Sequence, residues 1–120
     1  MGMQELQKSA LTELIEYSPK IILGTKQVID ELRVTKKQDT EELFNLVIQG
    51  INWEIEVFNN CEPLINSTEK RIDKAKMAKA VVRLGKVLQE KDDIKIAACL
   101  DVDFMPFLKE MEKSAIEICQ

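Results

Sequence analysis

The sequence predicts an all-α protein, an antiparallel up-down-up-down four-helix bundle, and three observations carry that reading. Glu, Lys, Leu, Ala, Gln and Met, all good helix formers, dominate the 120 residues. Apolar residues recur at steps of three and four rather than alternating. Only four Gly and three Pro are present, too few for a many-stranded β fold, which needs a turn about every 8 to 12 residues. A chain of 13.8 kDa buries about two thirds of its unfolded surface on folding. Residues 1–120 are therefore expected to form one domain whose core needs neither metal nor disulfide.

In the first segment Leu11, Leu14, Ile21, Ile22, Val28, Ile29 and Leu32 make one stripe, with the small polar Ser18 and Thr25 inside it. The stripe keeps its phase across Pro19, which predicts a single helix from about 4 to 34 kinked near that proline. Asp39-Thr40-Glu41-Glu42 has the form of a capping box and opens a second helix. Its inward face is Leu43, Val47, Gly50, Ile51, Glu54, Val57, Phe58, Cys61 and Ile65. Asn66-Ser67-Thr68-Glu69 repeats the capping pattern and predicts a third helix with Met77, Ala80, Val81, Leu84, Val87 and Leu88 inward. Asp92 caps the fourth, where Ile94, Ala97, Ala98, Phe104, Met105, Leu108, Met111, Ala115 and Ile116 face in and Pro106 bends the axis. Connections of two to six residues make neighbours antiparallel. A mid-helix glycine costs about 1 kcal/mol relative to alanine. Close helix approach offsets that cost at Gly50, which lies on an apolar stripe, whereas Gly85 falls on a polar side.

Composition removes whole classes of chemistry. With no histidine there is no Ser-His-Asp or Cys-His nucleophile system, no His-ligated zinc and no imidazole proton shuttle. Cys61, Cys99 and Cys119 form no CxxC pair, which suggests neither a redox motif nor a zinc cluster and fits reduced cytoplasmic thiols. No apolar run approaches the roughly 20 residues of a membrane span, and no secretion signal precedes the first helix. The expected location is cytoplasmic, with Met1-Gly2-Met3 read as a cloning remnant.

Net charge is only −4, but it is unevenly distributed. Gln38 to Asn66 carries Asp39, Glu41, Glu42, Glu54, Glu56 and Glu62 with no base, a net of −6. Ser67 to Lys91 has a net of +5. Lys76, Lys79, Arg83 and Lys86 step by 3, 4 and 3 and so line one face of the third helix. That stripe is either a docking surface for an acidic partner or a solvated face that neutralises the second helix. RNA binding through it is a weaker expectation, because the chain is acidic overall and the helix lacks interleaved aromatics for base stacking. Trp53, at a stripe edge, and Phe107, on the outer side of the fourth helix, are either core residues or exposed partner anchors.

Glu54 and Asp101 both fall on apolar stripes. Were they to face one space, they could form a carboxylate pair for acid-base work or a metal. The ordinary alternative is a snorkelling rim residue, or an ion pair with a base such as Lys26 or Arg83. Asp101 and Asp103 stand about 200° apart on a regular helix and cannot share one ion.

Tyr17-Ser18-Pro19-Lys20-Ile21-Ile22-Leu23-Gly24, Ile48-Gln49-Gly50-Ile51-Asn52-Trp53, and Lys91-Asp92-Asp93-Ile94 followed by Met105-Pro106-Phe107-Leu108 resemble a family of small all-helical proteins of unknown function from Gram-positive bacteria. The shared motifs are packing motifs, so the resemblance implies a fold and no activity. In size and helicity the chain is also similar to flagellar export chaperones, an analogy of fold alone. The functional expectation is a non-enzymatic, cofactor-free cytoplasmic interaction or chaperone-like protein that holds a protein partner or a second copy of itself as a homodimer. The alternative is a small-ligand or metal-dependent enzyme built on Glu54 and Asp101.

Overall fold

The long first stripe folds as one helix, α1 (Met3–Arg33), in a computed structural model that describes residues 2–120. Met1, the first residue of the expected remnant, lies outside the described residues. Pro19 sits within α1 without ending it. At about 1.5 Å per residue the 31 residues match the molecule's longest dimension, 47 Å. Four further helical pieces follow: α2 (Thr40–Ile65), α3 (Lys74–Glu90), α4 (Asp93–Cys99) and α5 (Met105–Cys119). A π turn, Leu100–Phe104, joins the last two without a break. Among the described residues there is no strand, and no helix is long and apolar enough to cross a membrane.

Helix α1 is the spine, packing against α2, α4 and α5. Along its seam with α2, falling numbers on one helix meet rising numbers on the other: Gly24 faces Val47, Ile21 faces Gly50, Tyr17 touches Trp53, and the Gln7 amide donates to the Asn60 carbonyl. The core is the meeting of the stripes, with Leu11, Leu14, Ile51, Phe58, Leu108 and Met111 almost fully enclosed. Thr25, also buried, satisfies its hydroxyl on the Ile21 carbonyl one turn back, 2.7 Å away. Helix α3 packs chiefly on α4 and the π turn, and buries only Met77, Ala80 and Leu84.

The π turn has a legible cause. Ile96, Leu100, Phe104 and Leu108 are all buried and recur in steps of four. Three such steps overshoot a 3.6-residue helix by about 120°, and one extra residue in a widened turn takes back about 100° of that. The Met105 amide accordingly donates to the Leu100 carbonyl, five residues back. Proline follows at once, in the first turn of α5, where a missing N–H is tolerated. The buried face of the fourth segment differs from the expected one. Ile96, Leu100 and Phe107 are inside, whereas Ile94 and Ile116 are exposed, and so is Val81 in α3.

Two caps differ from the sequence reading. Asp39 makes no side-chain cap, because its backbone is not extended as a cap residue's is. Instead the Thr40 hydroxyl accepts from the Lys37 amide at 2.7 Å and donates to Glu31 at 2.6 Å. Asn66 does not start α3. It closes α2, its Oδ1 accepting from the Arg71 and Ile72 amides while its Nδ2 donates to Glu62 and the Ile72 carbonyl. With Asn66 committed to the connection, Asp73 caps α3 by accepting from the Ala75 and Lys76 amides, and Asp92 caps α4 in the same way.

Two of the three mid-helix glycines, Gly50 and Gly85, should respond oppositely to alanine. A Cβ on Gly50 would lie 2.9 Å from Ile21 Cγ1, part of the branched stem of that side chain, whereas one on Gly85 meets nothing within 4 Å. Urea unfolding should show Gly85→Ala stabilised by about 0.5–1 kcal/mol from helix propensity alone. Gly50→Ala should be destabilised by about 1–2 kcal/mol, because overpacking of the seam exceeds that gain.

Candidate functional site

The stripe on α3 forms as expected: Lys76, Lys79, Arg83 and Lys86 are all exposed on one side of the helix. Only Arg83 is in an ion pair among the described residues. Its partner is Asp103 of the π turn, gripped from Nε and one terminal nitrogen at 2.8 Å each. The guanidinium holds the Asp103 carboxyl below its ordinary range, and the Arg83 pKa rises in return. Cys99 also donates to Asp103, and burial together with that carboxylate pushes the thiol up to about 11. No ion pair links α3 to α2 among the described residues, so the basic stripe does not neutralise the second helix by contact.

Between α3 and the start of α5 lies an open groove of about 250 Å³, with Met77, Ala80, Pro106 and Phe107 among its apolar lining and Lys76 and Arg83 at its rim. Phe107 is 6% exposed and stacks edge-on against Phe58, with ring centres 5.8 Å apart. It is therefore a core residue and not a free anchor, corrected by the phase shift at the π turn. Lys79 stands outside this groove, and Lys86 borders a separate hollow with Val87 and Ala98. Trp53 is half-buried on the α1–α2 seam, edge-on to Tyr17 at 6.0 Å, and Lys20 lies over the Tyr17 ring.

Glu54 and Asp101 do not share a site. Asp101 is exposed and pairs with Arg33 at 3.1 Å, neither of the bases expected for it. The π turn rotates it off the apolar stripe on which a regular helix would place it. Glu54 is completely enclosed, and neither carboxylate oxygen has a hydrogen-bond partner. Burial, reinforced by the charge of Glu112, pushes its pKa up to about 8, so at neutral pH it is largely the uncharged acid. The hydroxyls of Ser18 on α1 and Ser114 on α5 are likewise buried and unpartnered. No group of three or more Cys, Asp or Glu is placed to hold a metal ion among the described residues.

A family model described as a domain of unknown function (DUF8042) matches residues 9–114. The chain belongs to that family. Neither a curated protein nor a solved structure matches it. The match covers α2, α3 and α4 and most of α1 and α5 of this DUF8042 domain, and agrees with the resemblance to a small all-helical family of unknown function.

Two features of the domain were not read from sequence. Glu31 is buried, accepting from Thr40 and from Gln27 at 2.9 Å, and those bonds hold its carboxyl below the ordinary range. Its position beside Val28 and Leu32 on the α1 stripe was the available signal. The role of Asp103 depends on where the π turn aims it, which periodicity alone does not give.

Glu54 supplies a pH test. A carboxyl whose folded pKa is raised from 4.5 to about 8 favours folding most below the lower value. Its contribution to stability declines as pH rises between the two and levels off above the upper one. Wild-type and Glu54→Gln proteins compared by urea unfolding at pH 5, 7 and 9 should diverge. The variant should gain up to about 1.4 kcal/mol per pH unit within that window, and a difference independent of pH would contradict the assignment.

Proposed function

We propose that this domain is a non-enzymatic protein-interaction module whose α3 face docks an acidic helical segment of a partner. The observation that carries the reading is that Lys76, Lys79 and Lys86 have no carboxylate within ion-pair distance among the described residues. A helix whose other face is buried thus presents three lysines on one side that are in no ion pair among the described residues. Beside them Val81 and Val82 are exposed, 43% and 72% respectively, and the groove over Met77 and Phe107 offers an apolar floor. Apolar floor and charged rim together suit an amphipathic helix laid along α3.

The up-down-up-down arrangement of the bundle, with bends at Pro19 and Pro106, belongs to the same reading. Support comes from the run of opposed numbers along α1 and α2, and from the reach of α1 contacts from Thr12 with Cys119 to Arg33 with Asp101. A cytoplasmic setting and a homodimer are also part of it, since a second copy would bring its own acidic α2, where Glu41, Glu42 and Glu56 are exposed.

Simultaneous Lys76→Glu, Lys79→Glu and Lys86→Glu substitution tests the reading, with Arg83 left intact to preserve its bond to Asp103. The variant should keep its thermal midpoint within about 2 °C, as surface changes usually do. Proteins captured from native lysate at low salt, or the self-associated mass in light scattering, should be lost. Capture and mass identical to wild type would contradict the reading, and retained protein binding with lost RNA binding would point to nucleic acid instead.

A further inference from the structure

We infer that Cys61 and Cys119 form an oxidant-sensitive thiol pair, a modification site at which α2 and α5 are joined across the first turns of α1. Far apart in sequence, the two thiols converge on consecutive peptide groups of one helix. Cys61 Sγ donates to the Gln7 carbonyl at 3.6 Å, and Cys119 Sγ to the Lys8 carbonyl at 3.7 Å. Successive carbonyls of an α-helix are near neighbours pointing along the same axis, so both thiols are held at the same end of α1. Thr12 fixes the second thiol, its hydroxyl 3.5 Å from Cys119 Sγ.

The two cysteines differ in the way a sensing and a resolving thiol must. Cys119 is partly exposed, in the last turn of α5. Cys61 is fully enclosed on α2, shielded from direct attack by solvent-borne oxidants. Burial, and then the neighbouring Cys119, raise the Cys61 thiol above its ordinary value, so it is the less reactive of the two toward an oxidant. Cys99 is no part of the pair, being bound to Asp103 beside the π turn.

The chemistry is that of a hydroperoxide acting on two thiols. Cys119 releases its proton and its sulfur attacks one peroxide oxygen; the O–O bond breaks, the departing hydroxide takes up that proton, and with hydrogen peroxide a sulfenic acid and one water result. The Cys61 sulfur, giving up its proton, then attacks the Cys119 sulfur and displaces the hydroxyl as a second water. Two thiols are oxidised by two electrons, and the peroxide is reduced to two waters. The product links helices on either side of α1, closing a long loop of the unfolded chain, so it should stabilise the fold.

Intact protein treated with hydrogen peroxide, digested without reductant and analysed by mass spectrometry tests the pair. The intact mass should fall by that of two hydrogen atoms, with one cross-linked peptide joining Cys61 to Cys119. Cys99→Ser should form it, and Cys61→Ser and Cys119→Ser should not. The thermal midpoint of the oxidised wild type should rise by several degrees and return on addition of dithiothreitol. Oxidation of Cys119 without linkage to Cys61, linkage instead to Cys119 of a second molecule, or no loss of free thiol would each overturn the inference.

Discussion

Burial of one continuous apolar stripe on α1 is the constraint on which the rest of the structure depends. That stripe runs from Leu11 to Leu32, and no single neighbour could cover it from all sides. Helix α2 takes one flank, closely enough at Gly50 that Ile21 occupies the space of a side chain. The α4–α5 segment takes the other flank over a comparable length. Its apolar residues recur in steps of four, so a regular helix would carry them off the contact within three turns. The π turn at Leu100–Phe104 is the local concession that keeps both halves of the segment against the spine.

From that arrangement follows the exposure of α3. With both flanks of α1 occupied, α3 is left to dock on α4 and the π turn. It is anchored by three buried side chains and by the Arg83–Asp103 pair. The remainder of its circumference is open, and there lie Lys76, Lys79 and Lys86, in no ion pair among the described residues. Packing and the proposed function are thus linked: the helix least needed by the core carries the surface best suited to another molecule. Polar groups within the core follow a different logic. Glu54 costs stability whenever it ionises, and Ser18 and Ser114 are also unsatisfied, so the core is not built for maximum stability.

How much of this the sequence shows can be judged from particular residues. Every position assigned to the inward face of α2, Glu54 included, is buried or half-buried, because that helix is regular and its 3.6-residue period is uninterrupted. Phe107 and Asp101 were misplaced for a single reason, the extra residue of the π turn, which periodicity cannot register. The start of α3 was misplaced because Asn66 satisfies the capping pattern locally while its side chain serves the connection to Ile72. Polarisation of charge between the second and third segments was legible by counting. Whether the two would meet was a matter of tertiary arrangement, and the structure pairs Arg83 with the π turn instead. The two carboxylates considered as a pair lie apart, Asp101 on Arg33 at the surface and Glu54 in the core.

Native-state hydrogen exchange measured helix by helix tests the central claim, that α1 is the spine and α3 an outlying helix docked on one side. Amides of α1 from Leu14 to Val28 should exchange only through global unfolding, with a urea dependence equal to that of the equilibrium transition. Amides in the middle of α3 should exchange through a smaller opening, faster and with a weaker urea dependence. Protection of α3 equal to that of α1, with the same urea dependence, would contradict the account.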